Sequence, residues 1–290
     1  MLETFEFYEA ISDYTIKEGD GQSFSITKGD IVSVIKKELV NFTVEKDGKI
    51  GKVPKTKLQL KIVEDLKKQI QGSVQMGLDH YKFIERILLE NGNNEIKLFV
   101  IECGIVDSLL RLIEKNMENI TPENIDILYK LTDQSSENVI QLLLEKNIYT
   151  TLFKILDQNN LIIVQLAAYS IFNILFSSYL TTDQSNHSTH PHFDQVSKSG
   201  GIIKIYELFC RNLGEDMNNT AAFCISIIYR AREIDQQKQM RQNIIKHLKN
   251  ILLHDTDEMT KKYAYDSLGY LALNPVNNLE ITKDGFVLQL

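Results

Sequence analysis

Hydrophobic positions change period near residue 62. Up to that point they come in short β-branched or aromatic runs: Phe24 and Ile26, then Ile31 to Ile35, then Phe42 to Val44. Gly19-Asp20-Gly21, Lys28-Gly29-Asp30 and Asp47-Gly48-Lys49 punctuate them, with glycine supplying the positive φ of a tight reversal. Several strands in so short a stretch predict a small barrel that closes its own edges. From about Glu64 the spacing becomes helical: Leu109, Leu112 and Ile113 share one face, as do Leu152, Ile155 and Leu156. The chain is predicted all-α from there to about Leu273, with Pro122, Pro191 and Pro275 at loops or helix starts.

The helical part repeats. Ile105, Ile148, Ile202 and Ile244 stand 43, 54 and 42 residues apart, and the same apolar offsets recur behind each. Four residues on are Leu109, Leu152, Tyr206 and Leu248, and twenty on are Ile125, Ala168, Ala222 and Ala264. The long middle interval coincides with the polar stretch 181–198, which reads as a mobile surface loop inserted into the array. A period near 42 is that of armadillo or HEAT units, whose stacking builds one continuous core. Residues 64–100 would form an opening cap, giving about four repeats.

The order of the N-terminal pieces resembles an SH3 domain. Ala10 to Tyr14 is similar to the ALYDY opening, Phe24 to the LSF phenylalanine, Lys28 to Val32 to the KGDxI turn, and Gly48 to Pro54 to GxxGxxP. That family grips proline-rich ligands between aromatic rings and acidic RT-loop residues. Here Ser12, Asn41 and Lys57 replace three of the usual aromatics, so the resemblance leaves Tyr14, Pro54, Glu18 and Asp20 as groove remnants. Losing three rings, each worth about 1.5–3 kcal/mol of burial, argues against ordinary PxxP binding.

Ala167 to Leu175 resembles the armadillo third-helix signature, and Lys198 to Ile202 the family's GGI start. The resemblance implies an extended peptide or helical segment bound on the concave surface of the third helices. The asparagine positions of the family read Lys130, Asn173, Ile227 and Gly269, and the tryptophan positions Asp126, Tyr169, Phe223 and Tyr265. Candidate groove residues are therefore Tyr169, Asn173, Phe223, Ile227 and Tyr265. A single asparagine makes no ladder, which disfavours importin-like recognition.

The expected fold is multi-domain: an SH3-like barrel over residues 1–62, an armadillo/HEAT-like right-handed superhelix over 63–275, and a tail over 276–290. The alternating apolar pattern of that tail allows a strand. The layout resembles the Nck-interacting SH3 protein family, which implies, as an alternative to a plain adaptor, activation of the Arp2/3 complex and actin-regulatory partners.

Charge and chemistry narrow the reading. The net charge is −7, and residues 1–62 balance at ten basic against ten acidic side chains, so all of it falls on the helical part. Such a chain has no electrostatic footprint for duplex nucleic acid. No apolar run approaches the span of a bilayer. Cys103, Cys210 and Cys224 lack CxxC spacing and read as buried reduced thiols, which favours a cytoplasmic setting. His187, His190 and His192 with Asp183 and Asp194 form the one candidate metal cluster, a third reading, but a polar loop lacks the rigidity of a structural site. His247, His80 and His254 read as residues on helices. No nucleophile–base arrangement emerges, so neither enzyme activity nor a cofactor is expected.

Overall fold

The computed structural model describes residues 6–17, 23–46, 49–60, 84–85, 88–89, 94–102, 104–180, 188–235 and 238–288. It falls into two compact units, Met1–His80 and Tyr81–Leu290. The boundary expected after residue 62 lies outside the described residues, as do Glu18, Asp20 and Cys103.

The first unit is built from strands. Strands β1 (Glu6–Ala10), β4 (Ile31–Lys37), β5 (Asn41–Lys46), β6 (Lys49–Pro54) and β7 (Leu58–Leu60) pair antiparallel in the order β6-β5-β4-β1-β7. Strands β2 (Tyr14–Lys17) and β3 (Ser23–Ile26) form a separate hairpin. Period-two alternation puts Tyr8 and Ala10, Phe24 and Ile26, and Val32 and Val34 inside, around Val44 and Val53. The turn before β4 is pinned from three sides. Gly29, at φ 95°, donates its N–H to the Ala10 carbonyl at 2.8 Å. The Asp30 carboxylate accepts the Thr27 N–H at 2.7 Å and pairs with the Lys46 ammonium. The Asp13 carboxylate accepts the Lys28 N–H at 2.8 Å. Gly51 lies directly under the Phe24 ring, where a β-carbon would collide.

The second unit is an array of helix triplets. The first is α1 (Asn94–Glu102), α2 (Ile105–Lys115) and α3 (Pro122–Thr132). The second is α4 (Glu137–Glu145), α5 (Ile148–Ile155) and α6 (Leu161–Leu180). The third is α7 (Phe193–Lys198), α8 (Gly201–Arg211) and α9 (Glu215–Ile228). In the fourth, one continuous helix α10 (Lys238–His254) precedes α11 (Glu258–Ala272). A left-handed residue separates the first and second helices of the first three triplets: Gly104 at φ 78°, Asn147 at φ 57° and Gly200 at φ 73°. Glycine and asparagine tolerate that conformation best. At the matching point of the fourth triplet Asn243 stays helical, so the two helices merge.

Second helices α2, α5 and α8 pack in one row, and third helices α3, α6, α9 and α11 in another. The repeated offsets are core positions: Ile105, Ile148, Ile202 and Ile244, and Ile125, Ala168, Ala222 and Ala264, are all buried.

Four expectations need correcting. Residues 188–198 are no surface insert: they include α7, the first helix of the third triplet, and His190 and His192 are buried. Residues 181–187 lie outside the described residues. The tail holds no strand over 276–288. Asn274 accepts the N–H groups of Val276 and Asn277, Pro275 follows as the first helical residue, and the segment becomes α12 (Pro275–Thr282). Cys210 is exposed, because it falls on the outer side of α8, whereas Cys224 is buried. Finally, Leu161–Tyr179 is long and apolar enough by composition to cross a membrane, at mean hydropathy 1.8, although half of it is buried in the array. Scattered Gln, Asn and Ser residues hid that run from a search for unbroken apolar sequence.

Candidate functional site

The row of third helices is where the sequence places its binding residues. Helix α6 carries no charged residue over its 20 positions. Ile163, Val164, Ala167, Ala168, Ile171, Ile174 and Leu175 face the core, while Gln165, Tyr169, Phe172, Asn173 and Phe176 form a half-buried stripe. The Tyr169 hydroxyl accepts from Gln165 Nε2 at 3.0 Å, and its ring lies 6.2 Å from that of Tyr129 on α3. Asn173 Nδ2 is buried without a hydrogen-bond partner among the described residues. Beside them on α3, Lys130 pairs with Asp126 one turn back and with Glu85 at 3.5 Å.

The next third helix behaves differently. Every residue of α9 from Asn219 to Ile228 is buried, including Phe223 at 6% and Ile227 at 2% exposure. The Phe223 ring lies 6.4 Å from Phe172 on α6 and 5.7 Å from Tyr263 on α11. Tyr265 and Gly269 on α11 are half-buried. Of the five residues placed in the groove by sequence, Tyr169, Asn173 and Tyr265 thus reach the surface, and Phe223 and Ile227 are core. The expected row Tyr169–Phe223–Tyr265 is interrupted at its middle because Phe172 and Tyr263 cover Phe223. Sequence reasoning did not single out Phe172, Phe176, Tyr263 or Tyr270; the absence of charge along α6 was the signal available.

In the strand unit, Tyr14 and Pro54 are half-buried, and Asn41, at the position of the usual groove tryptophan, stands opposite Pro54 in the β5–β6 register. The turn before it presents Leu39 and Val40 to solvent at 80% and 68% exposure. The Val40 carbonyl accepts the Lys55 N–H at 3.0 Å, tying this turn to the 3₁₀ segment Lys55–Lys57.

The histidines form a buried polar cluster. Tyr149 on α5 shares a 2.9 Å hydrogen bond between its hydroxyl and His192 Nδ1. His190 Nε2 lies 3.0 Å from the Leu175 carbonyl, and the His192 N–H donates to His190 Nδ1 at 3.1 Å. His190 Nδ1 therefore accepts and Nε2 donates, which fixes a neutral ring. Burial depresses both imidazoles, to about 4 each; at His190 the Leu175 bond opposes this and the neighbouring His192 and Arg230 add to it. Burial also raises the Tyr149 hydroxyl well above its usual value. Asp194 is exposed, and among the described residues no three His, Cys, Asp or Glu side chains sit together as a metal site. What the cluster does is structural: it seats the segment before α7 against α5 and α6. His247 is part-buried too, bonded to Asn219 at 2.7 Å, while His254 is exposed.

No family model matches the sequence, and no curated protein matches it. Solved structures do. A computationally designed armadillo repeat protein for modular peptide recognition is similar at 18% identity and a TM-score of 0.57, over 78% of this chain and 87% of that one. A designed armadillo repeat protein in complex with the peptide (KR)4 is similar at 19% identity and a TM-score of 0.55, over the same shares. At such identities the likeness speaks for architecture, and the helical unit of this chain has the armadillo-repeat fold, preceded by a small strand region.

Proposed function

We propose that this chain is a non-catalytic protein-interaction scaffold whose third-helix face holds a segment of a partner protein. The observation that carries the reading is the half-buried, uncharged stripe of α6, with Tyr169 and the unpartnered amide of Asn173, set in an armadillo-type stack. The Tyr169 ring supplies apolar contact to an extended chain, and the Asn173 amide, whose Nδ2 is buried without a partner among the described residues, can turn outward to meet a backbone carbonyl. The designed relatives, one of them holding a basic peptide, support the same use of the fold.

The strand unit supports a second contact surface. Its strand order and the pinned Thr27–Asp30 turn fit the SH3-like reading, and beside Asn41, which replaces a groove aromatic, stands the exposed aliphatic pair Leu39–Val40. An apolar partner segment without a polyproline requirement suits that surface.

The test compares proteins captured from lysate by the intact chain and by its Tyr169→Ala/Asn173→Ala variant, after circular dichroism shows equal folding. Loss of specific captures in the variant is the expected result. An identical set of captures would place binding elsewhere. Phe223 is the wrong residue for this experiment, since truncating it would open a cavity in the core.

A further inference from the structure

Helices α6 and α11 belong to the second and fourth triplets, with α9 between them. In a repeat stack each unit ordinarily touches only its neighbours. Here the two helices meet across α9 through two aromatic rungs. In the first, the Tyr263 ring stands edge-on to Phe172 at 5.7 Å and 89°, and to Phe176 at 5.8 Å and 83°. In the second, two turns further along both helices, Tyr179 and Tyr270 lie 4.6 Å apart. The offset in sequence is the same for Phe172–Tyr263 and Tyr179–Tyr270, so the helices run parallel and in register. The end of α9 is tied into the second rung: the Ala231 N–H donates to the Tyr270 carbonyl at 3.2 Å, and the Arg230 guanidinium lies 5.4 Å from the Tyr179 ring.

We propose that these rungs form a clasp that holds the third-helix face closed over α9, and that the face of the third triplet becomes accessible only when α6 and α11 part. Two features support a contact made to open. Phe172, Phe176, Tyr263 and Tyr270 are only half-buried, so water reaches the seam from one side. The layer beneath is the Phe223 ring, 6.4 Å from Phe172 and 5.7 Å from Tyr263, an apolar surface that parting of the two helices would uncover. In the closed state Tyr169 and Asn173 stay available while Phe223 and Ile227 do not, so the clasp sets how far along the array a bound segment can extend. That last consequence rests on the scaffold reading; the clasp does not.

Hydrogen–deuterium exchange of the full chain at neutral pH, followed by mass spectrometry, tests the clasp without any ligand. In the wild type, α9 amides are expected to exchange at least about tenfold faster than those of α5, although both helices are buried, because α9 is released by a partial opening. Tyr263→Ala and Tyr270→Ala should each accelerate α9 by a further factor of about three to ten, leave α5 unchanged, and be mimicked by neither Tyr263→Phe nor Tyr270→Phe. Equal protection of α9 and α5 in the wild type would overturn the proposal, as would acceleration of both helices together in the alanine variants. The wild-type comparison decides by itself should an alanine variant not fold. If the clasp behaves as expected while Tyr169→Ala/Asn173→Ala loses no captured protein, the scaffold reading fails and the clasp stands.

Discussion

Acidification should destabilise the helical unit through His190 and His192. Both rings are held neutral, with values of about 4 against 6.5 for a free imidazole. The unfolded chain therefore takes up protons first as pH falls. The contribution of the pair is complete above about pH 6.5 and is lost progressively as pH drops toward 4. A shift of this size amounts to about 3 kcal/mol per ring over the whole window, and about 2 kcal/mol per ring at pH 5. Two rings together give about 4 kcal/mol at pH 5, a large part of the stability of an ordinary domain. The groups that face the pair are Tyr149, whose hydroxyl bonds His192, and Arg230, whose guanidinium donates to Ser188 O at the base of the same segment. Burial holds the Tyr149 hydroxyl well above its usual value, so it stays protonated across this window. The assay is urea unfolding at pH 7 and pH 5, for the wild type and for His190→Gln/His192→Gln. The variant should be weaker at pH 7, where Tyr149 loses its partner, yet should lose far less on going to pH 5. An equal loss in both proteins would show that other groups carry the acid sensitivity and that the buried pair does not.

Two further outcomes follow from particular contacts. Gly51→Val should destabilise the strand unit by about 1–3 kcal/mol, because the new side chain collides with Phe24, and thermal unfolding of that unit reports it. Asp266, half-buried on α11 between Tyr263 and Tyr270 in sequence, has its carboxyl raised by burial, with Lys262 opposing. Its ionised form is therefore disfavoured in the folded state, so Asp266→Asn should raise the melting temperature at pH 7, a gain that disappears below about pH 3.8 where the carboxyl is protonated in both states.

The repeat could be read from the chain because its core positions recur at fixed offsets, and burial acts on Ile105, Ile148, Ile202 and Ile244 in the same way each time. The left-handed breaks were legible at Gly104 and Gly200; Asn147 does the same work with a residue that also serves in many other settings. Other features were hidden by competing signals. The polar run 181–198 outweighed the two histidines inside it, whose burial depends on Tyr149 and the Leu175 carbonyl, 43 and 15 residues from their partners. At the C-terminus the Asn274-Pro275 start of a helix was present, but alternation of apolar residues after it suggested a strand. At the candidate site, motif position picked out Tyr169 and Asn173, both of which are half-buried on α6. The burial of Phe223 was not legible, since it follows from a contact between units that are not adjacent in the array.

That contact also bears on how the chain folds. Armadillo-type arrays are dominated by local contacts and can grow outward from any unit, but the Phe172–Tyr263 and Tyr179–Tyr270 pairs join residues 91 apart in sequence. Bringing such distant points together costs chain entropy before any ring contact rewards it, and separations of this kind slow folding. The three triplets that the rungs span must each be in place before the rungs can meet. The seam is accordingly a late event in assembly, laid across helices that have already formed, and the same order run backwards makes it the earliest part of the array to let go.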